Sequence, residues 1–409
     1  MRRAVITGIG AVSTLGIDQA QIEESLRQGK SCISFCPEFE EHGFRSMVAG
    51  WIKEWAPGDF LPRKALKFMG RAATFSSTAA LLARVDSGLD ADDVQSDRCG
   101  VIVGCGEGST GDMFEGAYAI AKHNKPRRMG IRVPRTMSST HSANITMQLK
   151  NRGMSLAISD ACATGLVNIG YAAQVVKWGQ QDVVFAGGAE ACDWTGSSFF
   201  DAMGVLAPGF NDRPEAASRP FDRDRQGFVM AEGAGIVVVE ERERALSRGA
   251  QIYGEIVGYS TNCDGGTSMV APSTDGQVRC MTSALQDAGL SPKAIDYVNT
   301  HGTSTEAGDP SEIAALRDVF GGDGPMVTST KSQIGHSIGA AGALELIASL
   351  IMMKGSFIAP SINIDNPDEA CRYPGIVTGT RETAFGTFQT NNFAFGGSNA
   401  SMIVKKHLP

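Results

Sequence analysis

Met154-Ser-Leu-Ala-Ile-Ser-Asp-Ala-Cys-Ala-Thr-Gly165 and Met326-Val-Thr-Ser-Thr-Lys-Ser-Gln-Ile-Gly-His336 are two versions of one pattern. In each, a short run of strand character ends in a turn of small and polar residues and leads into an Ala- and Gly-rich helix. Strand, turn and small-residue helix repeated in successive halves of a chain point to a duplicated α/β fold with its site between the halves.

Working outward, short apolar runs read as buried strands at Ala4–Thr7, Gly100–Val103, Leu156–Ser159, Val183–Ala186 and Gly235–Val239, then at Ile252–Val257, Ile295–Asn299, Met326–Thr328 and Ala400–Val404. Helical patterns lie between them at Ala65–Leu82, Gly165–Trp178, Gln277–Ala288, Glu312–Val319 and Ile338–Met353. Continuous apolar strands alternating with helices predict a sheet covered on both faces. A boundary is expected at Arg248-Gly249-Ala250, giving an N-terminal half, 1–249, and a C-terminal half, 250–409. The Ile338–Met353 segment carries Glu345 in its middle and is too short to span a bilayer.

Composition narrows the function classes. The 409 residues hold 37 Lys and Arg against 44 Asp and Glu, a net charge of −7, with no long basic block, so nucleic-acid binding is not expected. Nine cysteines, odd in number and without a Cys-x-x-Cys pair, argue against a disulfide scaffold or a zinc ribbon and suit a reducing cytoplasm. The 49 glycines cluster after apolar runs, at positions 8 and 10, 104 to 108, 187 and 188, and 396 and 397, where strand-to-helix turns and backbone-lined sites belong. Neither Gly8-Ile-Gly10 nor Gly104-Cys-Gly-Glu-Gly108 completes a dinucleotide fingerprint, and a Walker-type loop is absent.

Cys162 falls where a strand ends and a helix begins, so unpaired N–H groups and the helix dipole are expected to lower its pKa toward thiolate. The alternative for any cysteine is a small buried hydrophobe, and that reading covers the other eight. Among six histidines, His42, His123 and His407 lie in polar surroundings, and His141 is left unassigned. His301 and His336 occupy glycine-flanked turns after buried strands, where α/β folds place reactive groups. One thiol with two such imidazoles permits nucleophilic chemistry, with N–H donors to a carbonyl.

The set Cys162, His301, Lys331, His336 and Phe393-Ala-Phe-Gly-Gly-Ser-Asn399 resembles the β-ketoacyl-acyl-carrier-protein synthases, condensing enzymes of fatty-acid and polyketide synthesis. The resemblance runs from Val5-Ile-Thr-Gly-Ile-Gly10 to Asn399, and Phe200-Asp-Ala-Met-Gly204 is similar to the discrete bacterial enzymes. It implies the thiolase fold, a duplicated α-β-α-β-α arrangement of five layers that dimerises, here with an identical or a ketosynthase-like subunit. It also implies decarboxylative condensation of a malonyl unit with an acyl group held on Cys162, and both substrates arrive on the phosphopantetheine of an acyl carrier protein. No catalytic cofactor is implied.

By the same resemblance His301 and His336 support decarboxylation and Lys331 is the active-site lysine, with Asp309 and Glu312 around it. The N–H groups of Cys162 and Phe395 form the oxyanion hole, and Thr303 and Thr305 bind the pantetheine arm. Glu107 and Phe200 border the acyl channel. Asn299, Glu345, Asn391 and Asn392 match a structural Na+ or K+ site of some members. An acidic carrier calls for a basic entrance, for which Arg63, Lys64, Lys67, Arg127, Arg128 and Arg132 are the candidates. Three positions depart from the family pattern: Asp160 replaces Ser or Thr, Ala394 replaces a Gly of the gating loop, and Glu107 brings a charge to the channel wall. Two other readings are a chain-length-factor-like partner, which typically lacks the nucleophile, and a thiolase-type acyl-CoA enzyme, which the Lys331–His336 segment disfavours.

Overall fold

The computed structural model describes residues 2–407 except 125 and 267, with the side chains of 126–128 also undescribed. Ten strands form one sheet: β1 Ala4–Val12, β2 Cys99–Cys105, β3 Ser155–Leu156, β4 Val183–Glu190, β5 Gly233–Glu241, β6 Gly254–Cys263, β7 Tyr297–Asn299, β8 Met326–Thr328, β9 Thr387–Ala394 and β10 Ser398–Lys405. Their order is β8-β7-β9-β10-β6-β1-β5-β4-β2-β3. Read outward from the centre, the halves run 1-5-4-2-3 and 6-10-9-7-8, the same order with five added to each strand. Orientations repeat as well. β1 pairs antiparallel with β5 and β5 with β4, while β4, β2 and β3 are parallel. β6, β10, β9, β7 and β8 follow the same rule. The halves join where β1 meets β6, at Val5↔Glu255 and Ile6↔Gly254.

The principal helices are α1 Arg71–Ser87, α2 Thr110–His123, α3 Thr164–Lys177, α4 Trp194–Met203, α5 Thr274–Ala288, α6 Gly308–Phe320 and α7 Ala341–Gly355. Helices α3 and α7 lie side by side between the two half-sheets, and α3 touches strands of both. α1 covers β1 and β5 on one outer face; α5, backed by α6, covers β6 and β10 on the other. These are the five layers of a thiolase-like fold. Every residue of β1 and β5 is buried, which is why both segments carry long apolar runs. The apolar stretch from Ile338 through α7 is buried in this core, with Leu346, Leu350 and Met352 fully covered.

The helices cross where side chains are smallest. A Cβ on Gly165 would stand 2.9 Å from the Ala343 nitrogen, so no larger residue fits between α3 and α7. Each of these helices opens with the same device. A 3-10 turn begins at a residue with positive φ, Ala161 (43°) before α3 and Ile338 (39°) before α7. The second residue of the turn is Cys162 in the first repeat and Gly339 in the second.

Three local expectations need correction. The buried strand expected over Leu156–Ser159 is the two-residue β3 at the sheet edge, and both of its residues are exposed. The helix expected over Ala65–Leu82 is two pieces, Arg63–Leu66 and α1, because Gly70 takes an extended conformation as the N-cap of α1. Strand β9 was not anticipated. Its Thr-Phe-Gln-Thr-Asn-Asn-Phe-Ala sequence is polar, yet every position through Phe393 is buried. Its polar groups are partly paired inside: the Gln389 amide donates to Ser401 at 2.6 Å and Ser401 donates to Asn391 at 2.7 Å.

Candidate active site

The turns that follow β3, β7 and β8 converge with the β9–β10 hairpin on a cavity of about 340 Å³. Cys162, Phe200, Thr303, His336, Ile338 and Phe395 are among its lining residues. The Cys162 sulphur is 3.0 Å from Nε2 of His336. The two imidazoles face each other nearly edge-on, with ring centroids 5.3 Å apart and planes at 88°. The sulphur and one ring nitrogen of each histidine lie within 4.8 Å of one another. His336 is aimed by its backbone N–H, which donates to Val229 O at 2.7 Å, and by the ring of Phe228, 5.3 Å away. Just before it, Gly335 has φ +80°, a conformation that favours glycine and lets the Lys331–Ile334 turn deliver His336 to the cavity.

His301 is held from behind. Its backbone N–H and that of Gly302 donate to the two carboxylate oxygens of Glu312, at 2.9 and 2.8 Å. Its Nδ1 lies 3.4 Å from Lys331 Nζ and 3.4 Å from Asn392 Nδ2. Both neighbours are hydrogen-bond donors, so Nδ1 accepts and the ring proton of neutral His301 sits on Nε2. His336 differs: its Nδ1 meets no partner among the described residues, so neither tautomer is enforced. Lys331 pairs with the Glu345 carboxylate, which also accepts from Asn392 at 2.8 Å, and both members of the pair are fully buried.

Electrostatics correct one expectation. The Cys162 thiol is not lowered toward thiolate. Burial pushes its pKa up to about 12, against the opposing pull of Lys331 and the Phe395 N–H. The thiol sits in the 3-10 turn ahead of α3, where desolvation of a sulphur anion outweighs the nearby dipoles. Burial, reinforced by the Lys331 charge, likewise holds both histidines well below their ordinary range. The resting site is therefore a neutral thiol beside two neutral imidazoles.

The remaining candidates fall into three groups. Thr303 and Thr305 line the mouth of the cavity with hydroxyls 3.0 Å apart, Phe395 lies in the hairpin beside Cys162, and Phe200 packs edge-on against Phe228. Arg63, Lys64 and Lys67 are exposed and form no ion pairs among the described residues, and the exposed Phe68 follows them. The side chains of Arg127 and Arg128 fall outside the described residues.

The third group is where geometry departs from expectation. Arg132 is not a free cation: it pairs with Asp112 at 3.0 Å and Glu115 at 2.5 Å. Asp309 does not face Lys331 either. Its carboxylate accepts from the N–H groups of Phe221 and Ser304, and the lysine's ion-pair partner is Glu345. Asn391 turns away from Glu345 because neighbours on a strand point to opposite faces, and its side chain meets Ser401 at 2.7 Å and Met281. Asn299 and Asn392 each keep a buried carbonyl oxygen without a partner among the described residues, the kind of oxygen an alkali cation takes. Glu107 is not among the cavity's lining residues. Its carboxylate lies against Gly196 at the start of α4, and no Arg or Lys pairs with it among the described residues. It stands beside Glu190, and burial together with their mutual repulsion raises the pKa of Glu107.

Sequence reading missed Glu190, Phe228 and Ile338. Glu190 is fully buried and accepts hydrogen bonds from Gly106 N at 2.9 Å, Gly339 N at 3.0 Å and the Cys105 thiol at 2.9 Å. It thus ties the end of β2 to the 3-10 turn ahead of α7. Nothing local marks these three, because their partners are remote in sequence.

Residues 1–245 match the beta-ketoacyl synthase N-terminal domain and residues 253–365 its C-terminal domain. Over 409 residues the chain is 46% identical to a 3-oxoacyl-[acyl-carrier-protein] synthase 1 of Haemophilus influenzae, with 100% of each covered. It is 45% identical over 408 residues to the enzyme of that name from Escherichia coli, covering 99% of each. It also superposes on the crystal structure of a beta-ketoacyl synthase from Burkholderia phymatum with a TM-score of 0.95, at 34% identity and full coverage of both chains. With its two half-sheets, its Cys-His-His cavity and these likenesses over its whole length, the chain belongs to the beta-ketoacyl synthase family.

Proposed function

We propose that Cys162 carries an acyl group through a decarboxylative Claisen condensation, the β-ketoacyl-acyl-carrier-protein synthase reaction of fatty-acid synthesis. The observation that carries this reading is the neutral Cys162–His336–His301 arrangement, in which Lys331 and Asn392 fix His301 as an Nε2–H donor. In the first half-reaction the thiol attacks the carbonyl of an acyl-carrier thioester. Its proton passes to His336 Nε2 and on to the departing pantetheine thiol. The carbonyl oxygen, carrying negative charge in the tetrahedral intermediate, rests on the N–H groups of Cys162 and Phe395.

In the second half-reaction malonyl carrier enters past Thr303 and Thr305, which hydrogen-bond the pantetheine. Loss of CO₂ leaves an enolate whose oxygen accepts from Nε2–H of both histidines, His336 having moved its ring proton from Nδ1 to Nε2 once the first half-reaction left Nε2 bare. The enolate carbon attacks the Cys162 thioester, the β-ketoacyl carrier departs, and the Cys162 thiolate takes up one proton from water, the proton that the overall condensation consumes. Protonated imidazoles are not needed, in keeping with their depressed pKa values. Asn299 and Asn392 would hold a structural Na+ or K+ away from the reacting atoms.

Arg63, Lys64 and Lys67 receive the acidic carrier protein. The exposed apolar residues Met113, Phe114 and Tyr118 of α2 and Met203 of α4 supply the face for a second subunit, identical or ketosynthase-like. The division into halves is placed at 249/250, where Gly249 has φ +65° after the helix Arg242–Ser247. Nine free thiols suit a cytoplasmic enzyme. Chain-length preference follows from what lies behind the cavity. Glu190 stands within reach of Ile338, and Glu107 lies against the start of α4, the helix that bears Phe200. An acyl chain extending past Ile338 and Phe200 meets carboxyl groups, so short, conjugated or polar-ended chains are preferred over long saturated ones.

Incubation with acyl carrier alone tests the assignment: the mass of Cys162 should rise by the acyl group. Adding malonyl carrier should discharge it as β-ketoacyl carrier. A protein that stays unacylated at Cys162 while product forms overturns it.

A further inference from the structure

The catalytic cavity brings together three soft or borderline ligand atoms that the condensation uses for other purposes. The sulphur of Cys162 and one ring nitrogen each of His301 and His336 lie within 4.8 Å of one another, all buried. Tetrahedral Zn²⁺ takes sulphur at about 2.3 Å and imidazole nitrogen at about 2.0–2.1 Å, which places neighbouring ligand atoms roughly 3.3–3.7 Å apart. To meet that spacing the 3.0 Å contact between Cys162 and His336 has to open by about half an ångström, and the wider separations, up to 4.8 Å, have to close by about an ångström, within the reach of side-chain rotation. The cavity leaves room for a water as fourth ligand.

One feature opposes capture. Nδ1 of His301 faces the donors Lys331 Nζ and Asn392 Nδ2, so Nε2 is the nitrogen left for a metal and in the resting ring it carries the proton. Coordination through Nε2 moves that proton to Nδ1, where it meets two donor groups. The partners behind a metal-binding imidazole ordinarily accept its second N–H; here they are of the opposite kind. We propose that Cys162, His301 and His336 form an inhibitory site for a thiophilic divalent cation of the Zn²⁺ class, and that Lys331 and Asn392 keep its affinity low. On binding, the thiol proton leaves to solvent, the His301 ring proton shifts from Nε2 to Nδ1, and no electron is transferred.

The test uses the full-length protein, Zn²⁺ alone as probe and iodoacetamide as reporter, with alkylation read peptide by peptide. Cys263 is exposed and serves as the internal control. Zn²⁺ should slow alkylation of Cys162 and leave Cys263 unaffected, and a chelator should restore the rate. Calorimetry should show one Zn²⁺ per chain in the wild type and none at that affinity in Cys162→Ala. The double variant Lys331→Met with Glu345→Gln removes the buried pair without stranding a carboxylate. Its midpoint for Zn²⁺ should fall by about tenfold or more, the usual reach of such outer partners. If that variant does not fold, Asn392→Ala must shift the midpoint in the same direction. Unchanged Cys162 alkylation in Zn²⁺, full stoichiometry retained by Cys162→Ala, or a variant midpoint equal to or above the wild type each overturns the proposal. None of these outcomes depends on condensation activity, so failure here is separable from failure of the proposed function.

Discussion

Lys331 Nζ and His301 Nδ1 lie 3.4 Å apart, and this contact makes the two histidines of the cavity unequal. His301, backed by donors, keeps its proton on Nε2. His336, with no partner at Nδ1 among the described residues, is free to accept the thiol proton first and to donate later. Lys331→Ala is therefore expected to lower CO₂ release from malonyl carrier by about 10²-fold, since a positioned donor is worth roughly that much. It also leaves Glu345 buried and unpaired, which costs on the order of 3–5 kcal/mol of stability. Labelled CO₂ release and thermal unfolding measure the two effects separately, and an unchanged decarboxylation rate would refute the tautomer argument.

Cys162→Ala should abolish acyl transfer and condensation and leave the fold intact, because a small apolar side chain suits the buried apolar cluster of Phe228, Met230 and Ile338 to which Cys162 belongs. CO₂ release from malonyl carrier should persist at some level, as both histidines remain. Intact-protein mass spectrometry and CO₂ release read the two activities.

His301→Ala and His336→Ala should each reduce decarboxylation by about 10²–10³-fold. They are expected to part company in acyl transfer. His336 stands 3.0 Å from the sulphur and takes its proton in the proposed reaction, so its loss should slow acylation of Cys162 more than loss of His301 does. Stopped-time acylation assays on the two variants decide this, and equal acylation rates would remove His336 from the proton path.

Replacing Arg63, Lys64 and Lys67 by Glu should weaken carrier binding mainly through the association rate, with an effect that shrinks as salt rises. Arg132→Glu should behave differently. Its guanidinium is already committed to Asp112 and Glu115, so the change should lower stability more than carrier affinity. Surface plasmon resonance at two salt concentrations, with unfolding curves for the same variants, separates these outcomes.

Glu107→Gly should raise acyl-transfer rates for long saturated chains relative to short ones, and equal chain-length profiles would remove the carboxyl barrier. A pH effect follows from the same residue. Burial and the nearby Glu190 raise its folded pKa above the unfolded value. Between those two values the folded state binds more protons than the unfolded one, so this contribution to stability is lost as pH rises. Glu107→Gln abolishes that loss and should raise the Tm by on the order of a few degrees at pH 8 relative to its effect at pH 5. A Tm difference independent of pH would contradict the pairing.

The sequence by itself determined the repeated strand–turn–helix units, because small-residue turns and helices leave local signatures, although β3 of the first unit is a short exposed edge strand rather than a buried one. It also placed Cys162, His301, Lys331 and His336 on turns after strands, where reactive groups belong. Strand β9 was illegible, since its polar residues are stabilised by partners from β10 and α7 rather than by apolar character. The acidity of Cys162 was misread for a related reason. A helix start is visible in sequence, but the burial that outweighs it comes from the packing of both halves around the cavity. Likewise, the lysine's partner Glu345, the opposite facing of Asn391 and Asn392, the pinning of Arg132 and the crowding of Glu107 beside Glu190 depend on side-chain direction and on neighbours far along the chain. Local pattern fixes which residues stand at the ends of strands, whereas charge, tautomer and proton affinity are set by contacts that form only when α3 and α7 close against each other between the two half-sheets.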